Sequence, residues 1–174
     1  MDRNIWQTLS DEMSRENDGD EVFLKERIAP DALRMAYEQK RAIVVRQGDV
    51  SAAQSERIIG IGVLWPTSDS TWFELGSLWV ANEFRGPGLG LAHMIYRGRL
   101  DLLPPGAHGF VVTHNPRVVT LALKHGFREA SRSEWPHAAP YAVVCGPCDR
   151  WETDEQKAHC PHRAVLAQCQ LLVR

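Results

Sequence analysis

A strand that runs straight into a glycine-rich loop, with a helix opening behind it, limits this chain more than any other feature. Trp72 to Val80 reads as the strand, with Phe73, Leu75 and Trp79 on one face and Leu78 and Val80 on the other. A strand apolar on both faces belongs in the middle of a sheet covered from both sides. It leads into Arg85-Gly86-Pro87-Gly88-Leu89-Gly90, and Gly88 to Leu103 reads as a helix with Leu91, Ile95 and Leu102 near helical spacing. The glycines let backbone approach a ligand closely, the N–H groups at a helix start favour an anion, and Arg85 adds a positive charge beside them. The pattern points to phosphate, and above all to a diphosphate. Two common phosphate loops are excluded by spacing. A mononucleotide P-loop ends in Gly-Lys-Ser/Thr, whereas Gly90 is followed by Leu91-Ala92. A dinucleotide fingerprint spaces its glycines one and then two residues apart, and Gly86, Gly88 and Gly90 do not.

The rest of the chain supplies helices first and strands afterwards. Residues 3 to 15 and Pro30 to about Lys40 read as helices, the second opened by Pro30 and Asp31. Asn17-Asp18-Gly19-Asp20 between them reads as a turn. Ala42 to Arg46 and Arg57 to Trp65 are expected strands, joined by a polar loop from Gly48 to Glu56. Phe110 to Thr113 is a further strand and Pro116 to His125 a helix, with Gly126 placed to cap it in a left-handed conformation. Phe127 to Ser133 and Tyr141 to Cys145 read as closing strands around a Trp135-Pro136 loop, and Pro161 to Val173 as a terminal amphipathic helix. This order is α+β, or mixed α/β. A chain of 174 residues fits one domain, read as residues 1–145 with a Cys/His-rich extension over 146–174.

Arg-x-x-Gly-x-Gly after a central strand resembles the acetyl-CoA loop of the GNAT superfamily of N-acetyltransferases. Glu74-Leu75-x-x-Leu78-x-Val80 is similar to that family's fourth strand, and Asn115 with Lys124-His125-Gly126-Phe127 to the element after its fifth. The resemblance covers about residues 20 to 145, closely only 73 to 127. It implies a mostly antiparallel twisted sheet splayed between its fourth and fifth strands, with helices on both faces. It also implies acetyl-CoA as cosubstrate. Main-chain groups of Leu78, Trp79 and Val80 would line the pantetheine arm. Arg85, Gly86, Pro87, Gly88, Leu89 and Gly90 would hold the pyrophosphate, and Asn115 would reach the arm from the other side. A primary amine would attack the thioester directly. Glu74, six residues before Val80, is the candidate general base, and partial burial would raise its pKa. Many relatives carry a tyrosine acid four residues before the Gly-Phe glycine, where this chain has Ala122. His114 and Tyr141 are substitutes by position. This departure keeps a second reading open, a non-catalytic acyl-CoA-binding or interaction module.

All four cysteines lie in the last 30 residues. Cys145-Gly146-Pro147-Cys148 matches the active-site residues of thioredoxin-like proteins, but comes late and without an evident helix after it. Two Cys at this spacing also make half of a structural zinc site. The best set is Cys145, Cys148, Cys160 and His162, with His159 as substitute. Cys169 would stand about 13 Å from Cys160 along a helix, too far to share an ion.

Lys plus Arg number 20 and Asp plus Glu 22, a net charge of −2, which gives no overall basic footprint for nucleic acid. No apolar run approaches the roughly 20 residues that cross a bilayer, and Met1 to Met13 lacks a signal-peptide core. A cytoplasmic protein is expected, with a homodimer as the default assembly. The acceptor loops would be Asp18 to Pro30 and Glu134 to Pro140.

Overall fold

A computed structural model describes residues 3–16, 25–47, 57–67, 70–86, 90–113, 115–130 and 170–174. Their contacts divide the chain into two units, Met1–Leu64 with Leu75–Leu102, and Trp65–Glu74 with Leu103–Arg174.

In the first unit, α1 (Arg3–Arg15) buries Trp6, Leu9 and Met13, a stripe spaced three and four residues apart. It packs against α3 (Pro30–Glu38), which buries Leu33 and Ala36 completely. The Trp6 and Tyr37 rings lie 5.5 Å apart. A single turn, α2 (Lys25–Ile28), precedes α3 within the stretch that the sequence had suggested as loop. Its Ile28 is buried, which gives that turn a core anchor.

Strands β1 (Ala42–Gln47) and β2 (Arg57–Pro66) pair antiparallel from Ala42↔Val63 to Gln47↔Arg57, with an irregularity at Val45/Arg46. The helix α4 (Leu91–Asp101) seats on them through glycines. Gly60 and Gly62 share one face of β2. A Cβ on Gly60 would lie 2.7 Å from Ile95 Cδ1, and one on Gly62 2.6 Å from Ile95 Cγ2. From the helix side, a Cβ on Gly98 would lie 2.9 Å from Ile43 Cγ1 of β1. Helix and strands approach most closely where one or the other has no side chain.

In the second unit, the first residues of β3 (Trp72–Val80) pair parallel with β4 (His108–Thr113), in register from Trp72↔His108 to Glu74↔Phe110. The helix α5 (Pro116–Lys124) follows β4 and ends at Gly126, whose φ of 83° is the left-handed cap expected there. A short strand β5 (Arg128–Glu129) then precedes β6 (Gln170–Val173). β6 pairs antiparallel with both β4 and β5. Phe110, Ala130, Leu171 and Val173 form a buried cluster, with Trp72 and Val112 packed on it.

The order of hydrogen-bonded strands is β1-β2-β3-β4-β6-β5, and β2 and β3 run through both units. The mixed α/β class read from the sequence is the class observed. The last four residues of the expected terminal helix are strand instead. Leu171, Leu172 and Val173 are all buried, as an inner strand requires, and a short apolar run does not distinguish that from a helix. The expected turn at 17–20, loop at 48–56, strand at 141–145 and helix over 161–169 lie outside the described residues. No helix among the described residues is long and apolar enough to cross a membrane.

Candidate functional site

The site in the first unit is built from the end of β3 and the start of α4. After Val80 the chain makes a single 3-10 turn, Asn82–Phe84, and reaches Arg85 and Gly86. Pro87, Gly88 and Leu89 lie outside the described residues. Gly90 then caps α4 with φ 63° and ψ 9°. This left-handed residue stops the helix from extending back to Gly88, so α4 begins at Leu91. The carbonyl of Gly90 accepts the first internal bond, from Met94 N at 2.9 Å. No side chain caps the helix at Gly90, and its first turn holds no acidic residue. The N–H groups of Leu91 and Ala92 precede that first bond, at the end of the helix where backbone donors lack an internal acceptor. That is an electropositive end with nothing acidic in its first turn to neutralise it.

Arg85 is turned back onto the strand and onto the residue that follows α1. Its Nε donates to the carbonyl of Val80, and an Nη donates to the Glu16 carboxylate. The same carboxylate accepts from Trp79 Nε1 at 2.7 Å. Trp79 is buried, a core residue whose polar edge meets this acid. One helical turn earlier, Glu12 pairs with Arg57 at 3.1 Å, and Arg57 also pairs with Glu83. The bonds to Glu12 and then Glu83 hold the Arg57 guanidinium above its usual pKa. Glu12 on α1 and Glu16 just past its end thus anchor the helix to β2 and to the loop after β3. Sequence reasoning missed Glu16. Its spacing from Glu12 was visible, but its partners are more than 60 positions away.

Within β3, Leu78 is half-buried and Val80 buried. Ser77 has φ 47°, a left-handed residue inside a strand. This interrupts the two-residue alternation of side chains along β3.

In the second unit, Glu74 is buried at 7% exposure, so it is not a solvated strand residue. Asn115 is the N-cap of α5, where its side-chain oxygen accepts from Arg117 N at 2.9 Å. Its own N–H donates to Thr113 Oγ1 at 3.0 Å. Ala122 is fully buried, and its carbonyl accepts from His125 N and Phe127 N. His114, Tyr141, Cys145, Cys148, His159, Cys160, His162 and Cys169 lie outside the described residues, and the described ones hold no metal-ligating cluster.

No family model and no curated protein matches the sequence. Solved structures do match. A Mycobacterium tuberculosis protein in complex with CoA superposes with a TM-score of 0.61 at 15% identity, over 99% of this chain and 94% of that one. An acetyltransferase from Streptococcus agalactiae gives 0.61 at 12% identity, over 100% and 93%. An acetyltransferase of the GNAT family from Staphylococcus aureus gives 0.56 at 10% identity, over 100% and 94%. The chain has the fold of the GNAT acetyltransferases.

Proposed function

We propose that the protein is an acetyl-CoA-dependent N-acyltransferase acting on a primary amine. The observation that carries this is the α4 N-terminus. It is a left-handed Gly90 cap with no side-chain bond and no acid in the first turn, directly after a strand and Arg85, in a chain of GNAT fold. Such an end attracts the pyrophosphate of CoA. In this reading, Arg85 to Gly90 hold the diphosphate, Leu78 to Val80 lie along the pantetheine, and the side-chain amide of Asn115 reaches the arm.

The amine nitrogen attacks the thioester carbonyl carbon. The tetrahedral intermediate then expels CoA thiolate as the C–S bond breaks. Glu74 takes the proton that the new amide nitrogen must lose. The Ala122 position offers no hydroxyl to protonate the leaving group. A thiolate is a far better leaving group than an alkoxide or amide ion and can depart without such help. The same alanine favours the second reading, an acyl-CoA-binding module without transfer. For the tail, a structural zinc on Cys145, Cys148, Cys160 and His162 rests on their spacing, and metal analysis of the purified protein tests it.

Thermal unfolding with acetyl-CoA is the first experiment. Ligand at 100 times its Kd adds about 2.7 kcal/mol, or roughly 5 to 10 °C here, and Arg85→Ala should abolish most of the shift. No shift in the wild type sinks the cofactor assignment. Release of free CoA thiol with a panel of amines separates enzyme from binding module. A Glu74→Gln variant with unchanged turnover removes Glu74 from the mechanism.

A further inference from the structure

Arg99, in the last turn of α4, is fully buried. Its Nη1 donates to the carbonyl of Gly76 at 2.9 Å. Its guanidinium carbon lies 4.8 Å from the centre of the Tyr96 ring. Its stem crosses Gly62, where a Cβ would come within 2.8 Å of Cδ and Nε. The Nε and Nη2 atoms have no hydrogen-bond partner among the described residues. Burial pushes this guanidinium down to about 10, against a smaller opposing effect of Tyr96.

A buried cation with no carboxylate partner among the described residues is a poor stabiliser. Its single strong bond goes to one main-chain carbonyl. The residue after that carbonyl is Ser77, the left-handed position inside β3. A non-glycine residue holds such a conformation only where its surroundings impose it. The distortion falls just before Leu78, where the main chain is read as meeting the acyl arm. Buried strain beside a functional strand, clamped by a charge costly to bury, fits a positioning role better than a packing role.

We propose that Arg99 is a positioning residue: by clamping the Gly76 carbonyl it holds Ser77 left-handed and aims the main chain of Leu78 at the acyl-pantetheine arm. The proposal rests on the acyltransferase reading above.

The test compares CoA with adenosine 3′-phosphate 5′-diphosphate, which carries the diphosphate but lacks the arm. Titration calorimetry gives Kd for each, in the wild type and in Arg99→Lys. The wild type should bind CoA about tenfold tighter than the fragment, on the order of one or two main-chain hydrogen bonds. Arg99→Lys should bind the fragment as the wild type does and lose that tenfold difference. Equal weakening of both ligands, as general damage to the fold would give, overturns the positioning role. Adding Ser77→Gly to Arg99→Lys should restore the difference, because glycine adopts the left-handed conformation unaided. Where Arg99→Lys does not fold, Arg99→Gln replaces it, since that change removes the buried charge. A variant that keeps the full difference overturns the proposal and leaves the acyltransferase reading intact. A wild type that binds the fragment as tightly as CoA overturns it too. A wild type that binds neither ligand overturns the reading and the proposal together.

Discussion

Gly62→Ala tests the seat of α4 on β2. The added carbon would stand 2.6 Å from Ile95 Cγ2 and 2.8 Å from both Cδ and Nε of Arg99. Real Cβ contacts do not occur below 3.0 Å, so something must move. Ile95 and Arg99 are both fully buried, so neither side chain can swing into solvent. Overpacking of this kind costs about 1–3 kcal/mol. In a domain of this size each kcal/mol is worth about 2–4 °C, so Tm should fall by roughly 2 to 12 °C. Urea unfolding should show a lower midpoint with the same slope, because the change acts on packing and not on the surface exposed. Gly86→Ala is the control, since no described atom lies within 4 Å of its added carbon. It should leave Tm unchanged while touching the loop. Combining Gly62→Ala with Arg99→Ala should cost less than the two losses added, because one removes what the other collides with. A Gly62→Ala protein that melts within 1 °C or so of the wild type, an allowance well inside the expected loss, would refute the close approach of helix and strand.

Three further outcomes are expected. Glu16→Gln should release Arg85 from its carboxylate, raising affinity for acetyl-CoA about three- to tenfold while lowering Tm by a few degrees, as calorimetry and melting would show. Leu171→Ala, at a buried position of β6, should cost about 2–5 kcal/mol by denaturant unfolding, whereas a small effect would argue against an inner strand there. Arg99 should make stability pH-dependent at the alkaline end. Its folded pKa, about 10, lies below that of an arginine in the unfolded chain, so the unfolded chain binds more proton between the two. Stability from this group therefore rises as pH climbs through that window, and its penalty is in full force below pH 10. Urea midpoints of wild type and Arg99→Gln at pH 9 to 12 would reveal it as a difference that changes with pH; a constant difference would contradict it.

Much of the frame was legible because local chemistry set it. Pro30 at a helix start, Gly126 at a helix end and the two-sided apolar run of β3 each carry their meaning in neighbouring residues. The start of α4 was misjudged by three positions, because nothing local says which glycine of the loop turns left-handed. Gln170–Val173 misled for a related reason. Its apolar run meets partners at 110–113 and 128–129, and strand pairing at that distance leaves no periodic trace in the strand itself. Arg99 reads as an ordinary basic residue in a last helical turn. Its burial depends on Gly62, 37 positions earlier, whose missing side chain makes room for the arginine stem. Glu16 hid in the same way behind Arg85 and Trp79.

The strand order of the second unit has a consequence in time. β6 lies between β4 and β5, yet it follows β5 by about forty positions in the chain. A ribosome adding about 5–20 residues per second needs roughly 2–8 s to cover that interval. Throughout it, the edge of β4 that β6 will cover has no native partner to meet. Main-chain groups on a waiting edge recruit other strands readily, so the vulnerable period of this protein falls during its own synthesis.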